Sequence, residues 1–233
     1  MPGWYFTAVC IVGVLVEIYV VVCLFARRSF LRELPLGIYM AVTAAVACGL
    51  FVYAYRFGTT TPTYVYYYYY TDSLQTILMF WVIIHFYLQV FREMKVSRYI
   101  RQAAILLLLA TACFSYLVVH QNRSQFTSRF VAEVGQNLYF VGVVLTYLLW
   151  GVVVKLRETR ARMVQLVLAL GVYYSASAGS YAIGHLFPNL YMPFLRYLLP
   201  LLGMWLPTAW AYTFTKVPED AQLATATLLA RAP

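Results

Sequence analysis

Charged residues are scarce in this sequence. Only 11% of the 233 residues are Asp, Glu, Lys or Arg, whereas 63% are hydrophobic. A soluble domain carries about a quarter charged residues, because ionic groups must cover its surface. The composition therefore excludes a soluble globular domain, and the mean hydropathy of +0.73 agrees with a surface wetted by lipid.

Motifs for catalysis and metal binding are also lacking. The four cysteines, at positions 10, 23, 48 and 113, lie inside apolar runs and form no C-x-x-C pair. A disulfide framework and a zinc site are therefore unsupported. With only eight acidic residues in the chain, few groups remain to converge on an active site. We predict a protein that is not an enzyme and that binds no metal.

Haem is the one cofactor for which the sequence offers candidate ligands. His120 and His185 lie near the outer ends of two predicted spans and could supply axial ligands. Histidines at a membrane boundary are commonly just solvated, so the sequence predicts no bound cofactor.

Long apolar runs dominate the chain. A membrane-spanning helix needs about 20 predominantly apolar residues, and it must be helical because lipid cannot satisfy free backbone groups. Seven segments qualify, at 4–25, 36–56, 68–91, 103–120, 135–154, 164–186 and 194–215. The predicted fold is all-α: a polytopic seven-transmembrane-helix bundle over residues 1–216, followed by a short tail at 217–233.

The distribution of Lys and Arg predicts the orientation of this bundle. Connections on one side hold twelve basic residues and those on the other side hold four. Cytoplasmic connections are the basic ones in membrane proteins. The N-terminus is therefore predicted outside and the C-terminus in the cytoplasm. Topology alone accounts for the net charge of +9, so no nucleic-acid partner is predicted.

Ionisable residues are rare inside the predicted spans and concentrate in the third. They are costly in a bilayer, usually face the bundle interior and often mark functional sites. On a helical wheel Gln75, His85 and Gln89 share one face, with Asp72 beside them. Hydrogen bonding between helices explains such a stripe as well as a ligand or proton path does. The predicted interior or ligand-contacting residues are Glu17, Asp72, Gln75, His85, Gln89 and Arg196.

Depth in the membrane predicts two pairs among these residues. His85 lies about 10 Å and Glu17 about 15 Å from the nearest cytoplasmic arginine, at 1.5 Å per residue. They meet if the first and third helices are neighbours. Asp72 and Arg196 lie at similar heights near the outer side and form the second predicted pair.

Five consecutive tyrosines stand near the outer end of the third span. Five neighbours cover every face of a helix, so they cannot all line one pocket. Tyrosine is favoured at the membrane–water boundary, which makes an aromatic belt one interpretation. An aromatic outer mouth that stacks a planar or cationic ligand is the other. The residues concerned are Tyr66, Tyr67, Tyr68, Tyr69 and Tyr70.

No motif identifies a family. Retinal proteins also have seven helices, but they need a lysine midway along the last one, and residues 202–206 read Leu-Gly-Met-Trp-Leu. Three functions remain: a ligand-binding sensor or receptor-like module, which we favour, a small-solute transporter or channel, and an accessory subunit of a membrane complex. The predicted partners are the lipid bilayer and either a small-molecule ligand or other membrane subunits. The short connections favour a bacterial inner membrane.

Overall fold

The computed structural model describes residues 4–26, 31–58, 61–91, 97–120, 126–155, 160–186, 188–218 and 221. Within these ranges, the side chains of residues 4–6, 97, 118–120, 126–129, 131–132, 181, 184–186 and 188–200 are not described. The described chain forms seven α-helices: α1 Trp4–Ala26, α2 Leu34–Phe57, α3 Pro62–Val90, α4 Ser97–His120, α5 Phe126–Lys155, α6 Ala161–Leu186 and α7 Pro188–Lys216.

Six of these helices are long and apolar enough to cross a membrane. Within the described residues these stretches are Thr7–Ala26, Leu34–Phe57, Pro62–Val90, Arg98–Leu117, Glu133–Lys155 and Ala161–Ser180. The fold is thus all-helical and fits the predicted membrane bundle. The predicted seventh span lies within α7, many of whose side chains are outside the described part of the chain.

Several helices begin earlier than their predicted spans. α3 begins at Pro62 rather than at residue 68, and α5 begins at Phe126 rather than at residue 135. Hydropathy indicates the part of a helix that lies in the hydrocarbon, but a helix can extend beyond it, where water solvates its polar side chains. The connection between the predicted spans 103–120 and 135–154 therefore includes the first turns of α5.

Six helices are arranged as a ring, with the fourth on its outer side. Each helix of the ring packs extensively against the next one, in the order α1, α2, α3, α5, α6 and α7. The ring closes where α7 packs against α1. α4 packs against α5 and, less extensively, against α3. This order makes α2 the helix between α1 and α3.

Large side chains fill the inside of the ring. Trp210, Tyr174 and Phe86 are among the largest fully buried residues. The rings of Tyr39 and Phe86 meet Trp210 edge-on, with centroids 6.2 and 6.5 Å apart. Tyr174 lies so close to Gly142 of α5 that a Cβ there would overlap its ring. Small residues therefore let bulky neighbours reach the bundle interior.

Candidate functional site

A carboxylate, an imidazole and an amide meet at the end of the bundle where α2 begins and α3 ends. Glu33 directly precedes α2, and its Oε2 lies 3.2 Å from His85 Nε2. Gln89 Nε2 donates to both Glu33 oxygens at 3.0 Å and lies 2.8 Å from His85 Nε2. His85 and Gln89 share a face of α3 because they are one helical turn apart. We call these three residues the Glu33 cluster.

The Glu33 cluster holds its carboxyl in the charged form. Burial opposes ionisation of Glu33, whose residue is only 7% exposed. Hydrogen bonds with His85 and Gln89 outweigh burial, and the charge of Arg32 adds to them, so the pKa of Glu33 lies below its ordinary value. Such bonding to the ionised form stabilises a carboxylate inside a protein.

A small basic cleft adjoins this cluster. Its volume of about 20 Å³ is enough for one water molecule. Arg160 donates to the backbone oxygen of Gln89 at 3.5 Å, and Arg162 stacks 4.4 Å from the centre of the Phe214 ring. The lining residues are Arg32, Glu33, Gln89, Arg160, Arg162, Met163 and Leu166. Its size suits water rather than an organic ligand.

The chain beyond α7 returns to this same end of the bundle. The backbone N–H of Ala161, the first residue of α6, donates to the oxygen of Ala221 at 2.9 Å. Val217 is buried at 9% exposure. The start of the tail is therefore anchored beside the α5–α6 connection.

A second polar group lies inside the ring and is built from tyrosines. The Tyr173 hydroxyl on α6 is hydrogen-bonded to Tyr39 of α2, to Tyr139 of α5 and to Ser177 one turn along its own helix. Tyr39 and Tyr139 are buried, at 6% and 8% exposure. Three helices therefore direct hydroxyl groups at one another in the bundle interior.

Two carboxylates lie within electrostatic range of these tyrosines. Glu17 of α1 interacts electrostatically with Tyr39, and Asp72 of α3 interacts in the same way with Tyr173. The Asp72 carboxylate faces Gly135 of α5, where its Oδ2 is 3.6 Å from the position of a Cβ. We call Glu17, Tyr39, Asp72, Tyr139 and Tyr173 the tyrosine network.

Glu17 differs from Asp72, the other acid of the tyrosine network. It is 7% exposed, and its Oε2 has no hydrogen-bond partner among the described residues. A buried polar atom without a partner is costly and is uncommon in native proteins, so it calls for an explanation.

Apolar side chains separate the Glu33 cluster from the tyrosine network. Leu36 lies between Glu33 and Tyr39 along α2, and it is fully buried. On α3, Met79, Val82 and Ile83 lie between Asp72 and His85 and are equally enclosed. The two polar groups are thus distinct along the bundle axis.

The structure brings together some of the predicted residues and not others. His85 and Gln89 meet, but their carboxylate partner is Glu33, so the predicted Glu17–His85 pair is wrong. That pair required α1 and α3 to be neighbours, whereas α2 lies between them.

Gln75 is half-buried. The side chain of Arg196 lies outside the described residues, and its pairing with Asp72 stays a prediction; the haem ligands considered, His120 and His185, also have no described side chain.

The tyrosine run on α3 divides between two environments. Tyr67 turns inward, stacks on Tyr53 of α2 with ring centroids 4.6 Å apart, and lies against Gly49. The other four are 37–49% exposed; they are Tyr66, Tyr68, Tyr69 and Tyr70. The five residues do not converge on one pocket, as expected for consecutive positions of a helix.

Sequence reasoning missed four of the eight residues that make these two groups. Glu33 lies in the connection between the first two predicted spans, and only the structure shows that it meets His85 near the end of α3. Tyr39 and Tyr139 carry no local signal, because the chain has 22 tyrosines. Tyr173 shares a helical face with Ser177 in the sequence, and that pattern does reappear as a hydrogen bond.

The described residues hold no group of three or more His, Cys, Asp or Glu side chains placed to bind a metal ion. Comparison with protein-family models gives no match, and no curated protein or solved structure matches the chain.

Proposed function

We propose that this chain is a seven-span membrane protein that binds a small ligand in the tyrosine network and carries out no catalysis. The network offers hydroxyl groups and carboxylates within an apolar bundle, which is the usual composition of a small-molecule site. A sensor or receptor-like module fits this arrangement, since several helices of the ring contribute to one site.

The single observation that carries this proposal is the buried Oε2 of Glu17. It has no partner in the described part of the chain, while Tyr39, with which Glu17 interacts electrostatically, belongs to a chain of hydrogen bonds. A ligand that supplies the missing hydrogen bond or charge would remove the cost of leaving this atom bare.

The proposed topology places the N-terminus outside and the Glu33 cluster on the cytoplasmic side. The excess of Lys and Arg in the connections at that end supports it. The short connections support a bacterial cytoplasmic membrane as the location. A reporter enzyme that is active only outside the cytoplasm, fused after residue 216, should be inactive, and the same fusion at residue 59 should be active.

Co-purification tests the ligand proposal directly. The full chain, extracted in mild detergent, is analysed by native mass spectrometry and by absorption spectroscopy. We expect a small molecule bound to the wild type and retained by the Tyr212→Phe variant, whose tyrosine is 60% exposed on α7. Tyr173→Phe should lose most of it, because this change removes the central hydroxyl of the network.

Two results would contradict the proposal. A fixed-stoichiometry protein partner with no small molecule would favour an accessory subunit. Equal retention of the molecule by Tyr173→Phe and Tyr212→Phe would place its site elsewhere.

One observation favours a transporter as the second candidate. Asp72 of the tyrosine network and His85 of the Glu33 cluster both lie on α3, about 20 Å apart by helical rise, with buried apolar residues between them. A solute path that is closed by an apolar segment has polar groups at both ends and buried apolar residues between them. The test is uptake of a solute by vesicles that contain the protein. Uptake that is lost in both Asp72→Asn and His85→Gln would favour a transporter over a sensor.

A further inference from the structure

The surroundings of Glu17 contain no basic partner that the structure describes. α1 packs against α2 and α7. The titratable groups that interact electrostatically with the carboxylate are Cys10 on α1 and Tyr39 on α2. On α7, the described titratable side chains are Tyr212 and Lys216, and both are exposed. Arg56 of α2 is exposed at the far end of its helix.

A carboxylate in such a place has two stable states. An isolated charge is too costly to keep in apolar surroundings, so the group either takes up a proton or pairs with a positive ion. Both states satisfy the same oxygen, and they exclude each other because the proton and the ion compete for it. Glu17 is therefore suited to exchange one for the other.

The neighbouring side chains are suited to a cation. Tyr39 provides both a ring and a hydroxyl oxygen, and its ring meets that of Trp210 at 6.2 Å. Aromatic faces attract cations, and hydroxyl oxygens can coordinate them. Large buried side chains fill the centre of the ring, including Trp210 and Tyr174, so the occupant must be small.

We propose that Glu17 binds a small monovalent cation inside the bundle in exchange for a proton. This inference rests on the proposed function and names the class of its ligand. The step balances: the cation enters, the carboxylic acid of Glu17 becomes a carboxylate, and one proton leaves to the solvent. The other carboxylate of the network, Asp72, interacts electrostatically with Tyr173 rather than with Tyr39.

Proton release measures this exchange. Full-length protein in detergent, in weakly buffered solution with a pH-sensitive dye, is titrated with NaCl, with methylammonium chloride and with choline chloride. We expect release of about one proton per chain with sodium or with methylammonium, as for other cation sites that titrate with their ligands. The effective ion distinguishes a metal cation from an ammonium group. Choline, which is too bulky, controls for ionic strength.

The wild type alone already provides a second measurement. While Glu17 is protonated, the apparent cation affinity should rise about tenfold for each unit of pH, because one proton competes with one cation. An affinity that does not change with pH overturns the proposal, and so does equal proton release with choline.

Variants locate the exchange. Glu17→Gln should abolish proton release and remain folded, because the amide resembles the protonated acid. Glu133→Gln is the matched control: this acid lies half-buried on α5 outside the network, and proton release should persist. Unchanged release in Glu17→Gln overturns the assignment.

Different results would contradict cation exchange at Glu17 and ligand binding in the tyrosine network. If neither cation releases protons, but a neutral molecule co-purifies in a manner that depends on Tyr173, the cation proposal is overturned and ligand binding stands. If cation-linked proton release requires Glu17, both are supported.

Discussion

His85 Nε2 lies 3.2 Å from Glu33 Oε2, although 52 residues separate the two in sequence. This contact joins α3 to the residue that precedes α2, and Gln89 strengthens it with hydrogen bonds to both carboxylate oxygens. The pair lies at the end of the bundle where Arg160 reaches the backbone of Gln89 and Ala221 bonds Ala161. The residue before α2, the end of α3 and the start of α6 therefore meet at one end of the bundle, and the tail contacts the start of α6.

Replacing His85 by Ala should destabilise the protein more than replacing His120 by Ala. The first change removes a partner from a buried charged carboxylate, which costs about 2 kcal/mol for a hydrogen bond of this kind. His120 ends α4, a helix on the outside of the ring. Thermal unfolding of the two variants in detergent measures the difference. Equal tolerance of both changes would show that the His85–Glu33 contact contributes nothing to stability.

Replacing Glu33 by Gln should lower stability in a pH-dependent way. Because the pKa of Glu33 is lowered in the folded state, its contribution is present above the pKa of an unfolded glutamate, about 4.3. It is lost as the pH falls through the folded-state value. At pH 7 we expect the variant to lose about 1–2 kcal/mol. Denaturant unfolding from pH 7 down to about pH 2 should show the two proteins converging only below the pKa of an unfolded glutamate, and a difference that stays constant over this whole range would contradict this.

Replacing Tyr173 by Phe should lower the free energy of unfolding by about 1 kcal/mol or somewhat more. The change deletes one hydroxyl that bonds Tyr39, Tyr139 and Ser177, and a net hydrogen bond contributes about 0.5–1.5 kcal/mol. Tyr212→Phe, at a 60% exposed position, should change stability by less than about 0.5 kcal/mol. Chemical unfolding in mixed micelles compares the two. A smaller effect at Tyr173 would mean that the network is not formed as described.

Replacing Gly142 by Ala should destabilise the contact between α5 and α6. A Cβ at this position would overlap the ring of Tyr174, which is 1% exposed. Overpacking of this kind costs about 1–3 kcal/mol. Gly179→Ala is the control, because nothing lies within 4 Å of its Cβ position. Since alanine favours helix formation over glycine, this variant should be as stable as the wild type or more so.

A double variant checks the origin of the Gly142 effect. Tyr174→Leu removes the ring that the new methyl group would strike, so Gly142→Ala should cost less in that background. Additive losses, measured by the same unfolding assay, would show that Tyr174 is not the residue in conflict.

The sequence by itself determined the all-helical fold and most of the span positions. Apolar runs of sufficient length must be helical in lipid, so composition and length were enough. It also predicted that His85 and Gln89 share a face, because helical spacing is a local property. The helix ends were less predictable, as α3 and α5 show, because polar residues can continue a helix outside the hydrocarbon.

Only the tertiary structure decided which residues meet. Whether His85 faces Glu17 or Glu33 depends on the order of helices around the ring, and α2 between α1 and α3 gives the answer. The tyrosine network likewise joins Tyr39, Tyr139 and Tyr173 across three helices. Helix order is set by the packing of whole faces, such as Tyr174 against Gly142. No short stretch of sequence contains that information, because each such contact joins residues on different helices.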